Sequence, residues 1–367
     1  MIHEQSTLTS EAATEKVVAE TTSIPGQLED SHLIPVIILN WNGEGDTIEC
    51  LLSIKASAPA RFLPVLVDNG STPESLARLK RECAVLFPNI TFLTRTDLFG
   101  SDEPALAGLL SQPEDDSLVF IENGENLGFA KGNNVGIRLA ELIGAEWVML
   151  LNNDTVVSPD LFAVLRNFLL QHLGIPAITP EVRRYGSADQ IQNCGGDLTY
   201  FGSRRYRFAN RNAGRLPKAE FSRISFVTGC ALLLHYKVTG PLSEDFFFGE
   251  EDYELSLRMQ KRGLPMACVY GAVVHHKLGA SIRKSAKLLG SVILQYVNRL
   301  IDTRNYYSRP RWEATRLLGY LYLPFLLAKS GINPAKSLTA IRIIQSYIRN
   351  ARTVDRTVFE LLVNGDW

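Results

Sequence analysis

The feature of this sequence that most constrains its fold is a repeat of apolar runs, each followed by a polar loop. The runs are LIPVIILNWN at 33–42, FLPVLVDNGST at 62–72, SLVFIENGENLGF at 117–129 and EWVMLLNNDT at 146–155. Segments of helical periodicity follow the first three, at 46–57, 73–85 and 130–143. Strands that are apolar on both faces belong to parallel sheets covered by helices on both sides. The sequence therefore predicts an α/β fold with a mainly parallel sheet.

Four polar clusters follow these runs, each at the carboxyl end of a predicted strand. They are Asn40-Trp41-Asn42, Asp68-Asn69-Gly70-Ser71, Glu125-Asn126-Leu127-Gly128 and Asn152-Asn153-Asp154. Open α/β sheets bind their ligands outside the carboxyl ends of the strands. Four clusters at one edge of a sheet therefore predict a binding crevice.

Asp154 is the charged residue of the fourth cluster. Asn and Asp commonly do no more than satisfy turn backbone, and Ser158 and Pro159 predict the start of a helix just beyond. The alternative interpretation is a metal site, because a carboxylate with flanking amide oxygens suits Mg²⁺ or Mn²⁺. Such a site needs phosphate oxygens to complete it, which points to a nucleoside diphosphate as co-ligand.

A second acidic cluster comprises Glu250, Glu251 and Asp252, ahead of a helical pattern at 253–262 that ends at Gly263. These carboxylates can cap the helix and complement its dipole. Alternatively, one of them acts as a general base that takes the proton from a sugar hydroxyl. The residues alone leave both interpretations open.

His275 and His276 follow a strand predicted to end at Val274. If the strand continues, the two side chains point in different directions, so at most one of them is a ligand. A neutral imidazole can complete a metal shell or contact a diphosphate. The alternative is a pair of loop or core histidines.

Composition narrows the class of protein. The 38 basic and 39 acidic residues give a net charge of −1, which provides no global field for collecting nucleic acid. The five cysteines form no CxxC pair, which favours reduced thiols in a cytoplasmic protein over disulfides or zinc. Residues 1–31 are rich in Thr, Ser and Glu and lack an apolar core, so we expect a disordered tail and not a signal peptide.

The C-terminal region, 286–367, is predicted to be helical. Its apolar run at 317–328 is shorter than a bilayer span and contains Pro324. A basic stretch with interleaved Tyr and Trp precedes this run, at 303–316. Two interpretations remain open: a helix lying on an anionic membrane surface, or a buried helix with a solvated basic face.

The ordered set of motifs resembles the inverting nucleotide-sugar glycosyltransferases of family 2, which have the GT-A fold, and in particular the rhamnosyltransferase-like branch of bacterial surface-polysaccharide assembly. The resemblance covers roughly 34–281. Besides the clusters at Asn40, Asp68 and Asn152, it includes Asn-x-Gly-Phe-x-x-Gly-x-Asn at 126–134, Phe-Phe-x-x-x-Glu-Asp at 246–252 and His-x-x-Gly-x-Ser at 276–281. Asn152 stands where many relatives have an acidic residue.

The resemblance implies a role for each matched position. Contacts to the nucleotide-sugar are implied for Asn40, Asn42, Asp68, Asn69, Asn126, Gly128, Phe129, Gly132, Asn133, Asn152 and Asn153. Asp154 and His276 would hold a divalent metal, Mg²⁺ or Mn²⁺. Asp252 would be the catalytic base, with Glu251 as the second choice.

The resemblance also implies an activity. A sugar, with rhamnose from dTDP-rhamnose as the first choice or another hexose from a UDP- or other NDP-sugar, would be moved onto a glycan or lipid-linked acceptor with inversion. The enzyme would act in the cytoplasm, on the inner face of the cytoplasmic membrane if the C-terminal region binds lipid. The implied GT-A domain spans 32–285, with a nucleotide-sugar half at 32–175 and an acceptor half at 176–285. A surface insertion is expected at 94–117.

Three alternatives compete with this activity. A sugar-nucleotide pyrophosphorylase needs a basic phosphate loop near the first strand, and ILNWNGEGDT carries no basic residue. A glycoside hydrolase uses paired carboxylates but has no need of the strand-end clusters. A catalytically silent sugar-nucleotide-binding subunit remains open.

Overall fold

The computed structural model describes residues 33–57, 61–100, 116–187, 189–277 and 288–365. Thirteen strands are present in these residues, of which eleven form one sheet and two form a separate hairpin. The strands are β1 (Ile34–Asn40), β2 (Phe62–Asp68), β3 (Asn89–Thr94), β4 (Ser117–Glu122), β5 (Trp147–Asn152), β6 (Thr155–Val157), β7 (Ala177–Arg184), β8 (Ile191–Asn193), β9 (Gly196–Leu198), β10 (Arg204–Tyr206), β11 (Phe221–Ile224), β12 (Ala231–His235) and β13 (Met266–His276).

The sheet is mainly parallel, as the apolar runs predict. Its order is β11-β13-β7-β12-β5-β1-β2-β4-β3, with β6 beside β13 and β8 beside β7. All pairs from β5 to β3 are parallel, and β7 pairs β13 in parallel. β12 enters between β5 and β7 in the opposite direction. The carboxyl ends of β1, β2, β4 and β5 therefore lie along one edge.

Helices cover both faces of the sheet. They are α1 (Glu44–Ala56), α2 (Pro73–Leu86), α3 (Phe129–Leu142), α4 (Leu161–Gln171), α5 (Tyr236–Thr239), α6 (Glu251–Lys261), α7 (Leu288–Tyr306), α8 (Arg309–Lys329), α9 (Ser337–Asn350) and α10 (Arg356–Asn364). Alternate residues of β1 enter different cores, Val36 and Ile38 on one face and Ile37 on the other. Burial on both faces explains why the strands have no polar alternation.

Several predicted boundaries were wrong. The helix after β5 begins at Leu161 and not at Ser158, because residues 155–157 pair with β13 as a further strand and the Ser158 N–H donates to the Val273 carbonyl. The strand predicted to end at Val274 continues to His276. The segment ISFVTGCALLLHYKV at 224–238 has the apolar pattern of one buried strand, but β11 ends at Ile224 and β12 begins at Ala231. The edge strand β3 was not predicted.

Four further helices follow the sheet domain and share a core of their own. Ile293 and Ile301 of α7, Leu323 of α8 and Ile344 of α9 are fully buried in it. The sequence left open a helix on a membrane surface or a buried helix with a solvated basic face. α8 matches neither prediction alone, because one side is buried and the other exposes large apolar side chains. In the described part of the chain, no helix is long and apolar enough to cross a membrane.

Some sequence predictions lie outside the described residues. These are the tail at 1–31, the greater part of the insertion at 94–117, and the Gly279-Ala280-Ser281 portion of the histidine motif. Within the insertion, Arg95–Phe99 forms a short 3₁₀ helix.

α3 lies unusually close to β1, and glycine makes this possible. A Cβ atom at Gly136 would lie 2.6 Å from Cγ2 of Ile37, and one at Gly132 would lie 2.6 Å from Cδ1 of Leu39. Ile37 is buried and β-branched, so its side chain has little freedom to move. The two glycines thus set the distance between helix and sheet beneath the strand-end crevice.

We predict that Gly136→Ala lowers the free energy of unfolding by about 1–3 kcal/mol, because the added methyl group overpacks Ile37. Urea denaturation measures the change. Gly45→Ala is the matched control, since no atom lies within 4 Å of a Cβ there, and it should cause no loss. Equal stability of the two variants would contradict this account of α3 packing.

Candidate active site

The ends of β1 and β2 are joined by a buried polar network. Asn40 Nδ2 donates to Asp68 Oδ1 over 2.9 Å and to Ser71 Oγ over 3.0 Å. Asp68 also accepts from the Ser71 hydroxyl and backbone N–H, at 2.6 and 3.0 Å. Asn40 and Asp68 are buried, so they fix the strand ends. The residues they hold at the surface are Trp41, whose side chain is 58% exposed, and Asn42.

The Asn69 side chain holds the loop that follows β4 through four hydrogen bonds. Its Nδ2 donates to Asn126 Oδ1 and to the Gly128 carbonyl, and its Oδ1 accepts from Asn123 Nδ2 and from the Leu127 N–H. Asn126 Oδ1 in turn accepts from the Gly128 N–H. The second and third predicted clusters are therefore one hydrogen-bonded unit.

Gly128 brings that loop against the segment that precedes the acidic cluster. Its φ is +84°, and a Cβ there would lie 2.2 Å from the Phe247 carbonyl oxygen. The next residue, Phe129, donates its N–H to the same oxygen over 3.0 Å. The resemblance gave Gly128 a role in lining the pocket, but the contact that requires glycine here is with protein. Asn133 likewise bonds within its own helix, to the Phe129 carbonyl.

Asp154 and His276 face one another at the carboxyl end of β5. Asp154 Oδ1 lies 3.2 Å from His276 Nε2. Pairing of β6 with β13 sets Thr155 opposite His276, which brings the preceding Asp154 into reach. His275 points away, toward Arg183, and burial together with that guanidinium lowers its pKa. The continuing strand therefore leaves one histidine at the site.

This pair fits a divalent metal with an open coordination shell. His276 Nδ1 lies 3.2 Å from Gln192 Oε1, a partner of the kind that orients a histidine ligand. In the described part of the chain, no three His, Cys, Asp or Glu side chains form a closed metal cluster. One carboxylate and one imidazole leave positions for phosphate oxygens and water.

Asn152 and Asn153 shape the turn around Asp154. The Asn152 N–H donates to the Cys230 carbonyl over 2.9 Å. Asn153 Nδ2 donates to Thr47 Oγ1 of α1 over 3.0 Å. The Asn152 backbone N–H therefore ties the turn to the residue before β12, and the Asn153 side chain ties it to α1.

Asp252 lies in the first turn of α6. Its Oδ2 accepts from the Gly229 N–H over 3.1 Å, and Arg204 Nη1 lies 3.7 Å from its Oδ1. Burial raises the pKa of Asp252, and Arg204 opposes that shift. The side chain keeps 20% of its surface exposed, so an acceptor hydroxyl can reach it.

Glu251 and Glu250 have different environments from Asp252. Glu251 Oε1 accepts from the Gly249 N–H over 2.7 Å, and burial together with the charges of Asp252 and Glu250 raises its pKa to about 8. It is therefore mostly protonated at neutral pH. Glu250, at φ +74°, pairs with Arg204 and Arg299. Asp252 is the carboxylate of the three best suited to act as a base.

Residues 225–230 connect Asp252 to the strand end that carries Asp154. The Gly229 N–H holds Asp252, and the carbonyl of the next residue, Cys230, holds Asn152. Burial, together with the charges of Asp154 and Asp252, raises the pKa of the Cys230 thiol to about 12. Two adjacent backbone groups therefore contact Asp252 on one side and the turn that carries Asp154 on the other. The sequence prediction missed this link because the segment is apolar on both sides of it.

Residues 32–291 match the family described as "Glycosyltransferase like family 2". The chain belongs to this family. The family resemblance stated from the motifs is thereby confirmed, and the match covers every cluster described above.

One solved structure is similar enough to identify the fold. The chain is similar to the mannosyltransferase PcManGT from Pyrobaculum calidifontis in complex with GDP-Man and Mn²⁺, with a TM-score of 0.50 and 14% identity over 91% of this chain and 86% of that one. S. aureus TarS 1–349 matches with a TM-score of 0.44 and 13% identity, over 86% of this chain and 91% of that one. The mannosyltransferase match confirms the GT-A fold. No curated protein matches the chain.

We predict that Glu251 makes stability fall as pH rises. The unfolded chain releases this proton near the ordinary value of 4.5, whereas the folded chain keeps it until about 8. In that window the folded state binds more protons, so the free energy of unfolding decreases with pH. Glu251→Gln cannot titrate, and it should lose less stability than the wild type between about pH 5 and 8.

Urea unfolding at several pH values measures this difference. Glu82→Gln, at an exposed position on α2, is the matched control and should follow the wild type. A Glu251→Gln profile parallel to the wild type would show that Glu251 is ionised in the folded protein.

Proposed function

We propose that this glycosyltransferase is a metal-dependent, inverting enzyme that moves a hexosyl group from a nucleoside diphosphate sugar to a glycan or lipid-linked acceptor. The observation that carries the proposal is the placement of two chemically different centres on either side of the Gly229–Cys230 link. The Asp154–His276 pair has oxygen and nitrogen donors for a metal. Asp252, across the Gly229–Cys230 link, is a partly exposed carboxylate with a raised pKa.

The nucleotide would enter at the ends of β1 and β2. The exposed ring of Trp41 offers a face on which a base can stack. Asn42 beside it is held by Ser71 and Thr72, since its N–H donates to Ser71 Oγ and its Oδ1 accepts from the Thr72 N–H. The fixed position of Asn42 suits recognition of base or ribose. The buried Asn40, Asp68 and Asn69 would then act by positioning these two residues.

The diphosphate would lie beside Asp154 and His276. A bound Mg²⁺ or Mn²⁺ would neutralise the charge that develops on the departing nucleoside diphosphate. Support for this assignment is that the mannosyltransferase of like fold was solved with GDP-Man and Mn²⁺. Asn152 and Asn153 hold the turn that aims Asp154 into the crevice.

Asp252 would take the proton from the acceptor hydroxyl as that oxygen attacks the anomeric carbon. A raised pKa makes its carboxylate a stronger base than an exposed aspartate. The Gly229 N–H fixes Oδ2, and Oδ1, which lies 3.7 Å from Arg204 Nη1, would face the acceptor. Attack from the side opposite the leaving diphosphate inverts the configuration, and no covalent glycosyl-enzyme forms.

We predict that Asp154→Ala and Asp252→Asn fail in different ways. Asp154→Ala removes a metal ligand, so it should abolish the metal-dependent part of nucleoside diphosphate binding in calorimetry. Asp252→Asn should keep that binding and lower kcat by about 10²–10⁴-fold, since only proton transfer is lost.

Asp116→Ala and Asp116→Asn are controls at an exposed turn before β4, and both should behave as the wild type. If Asp154→Ala bound nucleotide and metal normally, the metal assignment would be wrong. If the wild type bound a donor but transferred none of its sugar, the chain would instead be a silent sugar-nucleotide-binding subunit.

The donor is proposed from the motif resemblance. We expect dTDP-rhamnose to be turned over faster than UDP-GlcNAc or GDP-mannose, as befits the rhamnosyltransferase-like branch of surface-polysaccharide synthesis. Release of nucleoside diphosphate from each donor, with Mn²⁺ and with chelator, measures the preference. Faster turnover of another sugar would reassign the donor and leave the site assignments intact.

A further inference from the structure

The outward side of α8 carries a continuous apolar surface. Leu317, Leu318, Leu321, Tyr322 and Phe325 are 55%, 45%, 78%, 50% and 60% exposed. Their spacings of three, four and seven residues place them on one side of the helix. The opposite side buries Tyr320, Leu323 and Leu327 in the C-terminal core. Monomeric proteins rarely expose five large apolar side chains together without a partner for them.

This surface continues beyond the N-terminal end of α8. Arg311 precedes Leu318 and Tyr322 by seven and eleven residues, so it projects from the same side. Its Nε donates to the Tyr200 carbonyl over 2.7 Å, and its guanidinium stacks 4.5 Å from the Tyr200 ring. Tyr200 and Phe201 pack edge to face and are 66% and 40% exposed. An exposed aromatic pair therefore adjoins the apolar side of α8.

The charge of the C-terminal helices is strongly positive. Residues 288–365 contain eleven Lys and Arg but only four Asp and Glu, in a chain whose net charge is −1. The four acids are occupied or buried: Asp302 is fully buried, Glu313 pairs with Arg316, Glu360 pairs with Arg356, and Asp355 caps α10.

Six basic residues in this region are exposed and form no ion pair within the described residues. They are Arg309, Lys329, Lys336, Arg342, Arg349 and Arg352. Lys329 follows Phe325 by one turn, so it closes the apolar side of α8 with a cation. The surface thus combines apolar side chains, interfacial aromatics and uncompensated positive charge.

We propose that the apolar side of α8, with Tyr200 and Phe201, is a docking surface for an anionic phospholipid bilayer. Tyr rings at the headgroup level and Lys side chains that extend to phosphate are the usual anchors of such surfaces. A second copy of the chain suits the surface less well, since a symmetric contact would bring the same cations together. The helix lies on the membrane and does not cross it.

Docking has a consequence for the active site. Tyr200 and Phe201 lie in the turn of the β9–β10 hairpin, and Arg204 of that hairpin contacts both Glu250 and Asp252. The lipid-facing loop is therefore four residues from the side chain that flanks the base. This step rests on the proposed function: the acceptor hydroxyl would be presented from the membrane side, as part of a lipid-linked saccharide.

Vesicle cosedimentation of the full chain tests the docking surface. The protein should bind vesicles of phosphatidylcholine with about 30% phosphatidylglycerol and should bind pure phosphatidylcholine only weakly. The double variant Leu321→Gln, Phe325→Gln should reduce the partition constant about tenfold or more. Lys329→Gln with Lys336→Gln should reduce it and weaken its dependence on salt.

The matched control is Leu52→Gln with Val85→Gln, two exposed apolar residues of α1 and α2, and it should bind as the wild type. Urea unfolding checks that every variant is folded. Equal binding of the α8 variant and the control would overturn the proposal. So would a wild-type dimer in sedimentation velocity that the α8 variant dissociates, because the surface would then join two copies.

Vesicle binding needs neither donor nor metal, so it is also measured with Asp252→Asn. We expect that variant to bind as the wild type. Loss of transfer with intact vesicle binding would then count against the proposed function alone, and loss of vesicle binding with intact donor hydrolysis against the docking surface alone.

Discussion

The active site depends on two consecutive backbone groups. The Gly229 N–H holds the Asp252 carboxylate, and the Cys230 carbonyl holds the backbone of Asn152, two residues before Asp154. The Cys230 carbonyl extends the β12–β5 ladder by one residue beyond the Ala231–Leu151 pair. The Gly229 N–H, just before it, leaves the ladder and binds the Asp252 side chain. The end of β5 is therefore joined to α6, the helix that carries the proposed base.

Burying three carboxylates at the start of α6 requires compensation. Arg204 and Arg299 both pair with Glu250, and burial leaves Glu251 protonated near neutral pH. Unpaired buried charges are costly, and here one acid is neutralised and another is paired, which leaves Asp252 as the most exposed carboxylate of the three. Enzymes commonly give neighbouring acids different protonation states or partners in this way, so that only one of them is available as a base.

The C-terminal helices contribute directly to the site. Asn298 of α7 donates to the carbonyls of Phe248 and Gly249, and Arg299 beside it binds Glu250. These contacts hold the backbone just before the left-handed residue Glu250, and the side chain of Glu250 itself. α7 therefore contacts the segment at the start of α6 directly, across the predicted domain boundary at 285. A membrane contact on α8 would therefore act on elements already attached to the active site.

Sequence patterns predicted the sheet and the strand-end clusters because these depend on local periodicity. The apolar runs at 34–40 and 147–152 are strands that stay buried on both faces, and Asp154 with His276 meet as the motif order implied. The patterns did not predict β3, whose side chains are mostly half-buried at the sheet edge.

Nor did the patterns predict Arg204 as the partner of Glu250, 46 residues away. Such pairs are set by tertiary packing and leave no local signal. Trp41 belongs to a cluster that the sequence predicted, but the sequence did not predict that its ring is exposed. The buried hydrogen bond between Asn40 and Asp68 fixes the strand end that carries Trp41.

The central claim is that one crevice holds a metal–diphosphate on one side and a catalytic carboxylate on the other. Anomalous diffraction from Mn²⁺ in crystals grown with a nucleoside diphosphate tests it most directly. The account predicts one Mn²⁺ peak within bonding distance of Asp154 Oδ1 and His276 Nε2, with the diphosphate between that peak and Asp252. A peak elsewhere, or a diphosphate on the side of Asp154 remote from Asp252, would contradict it.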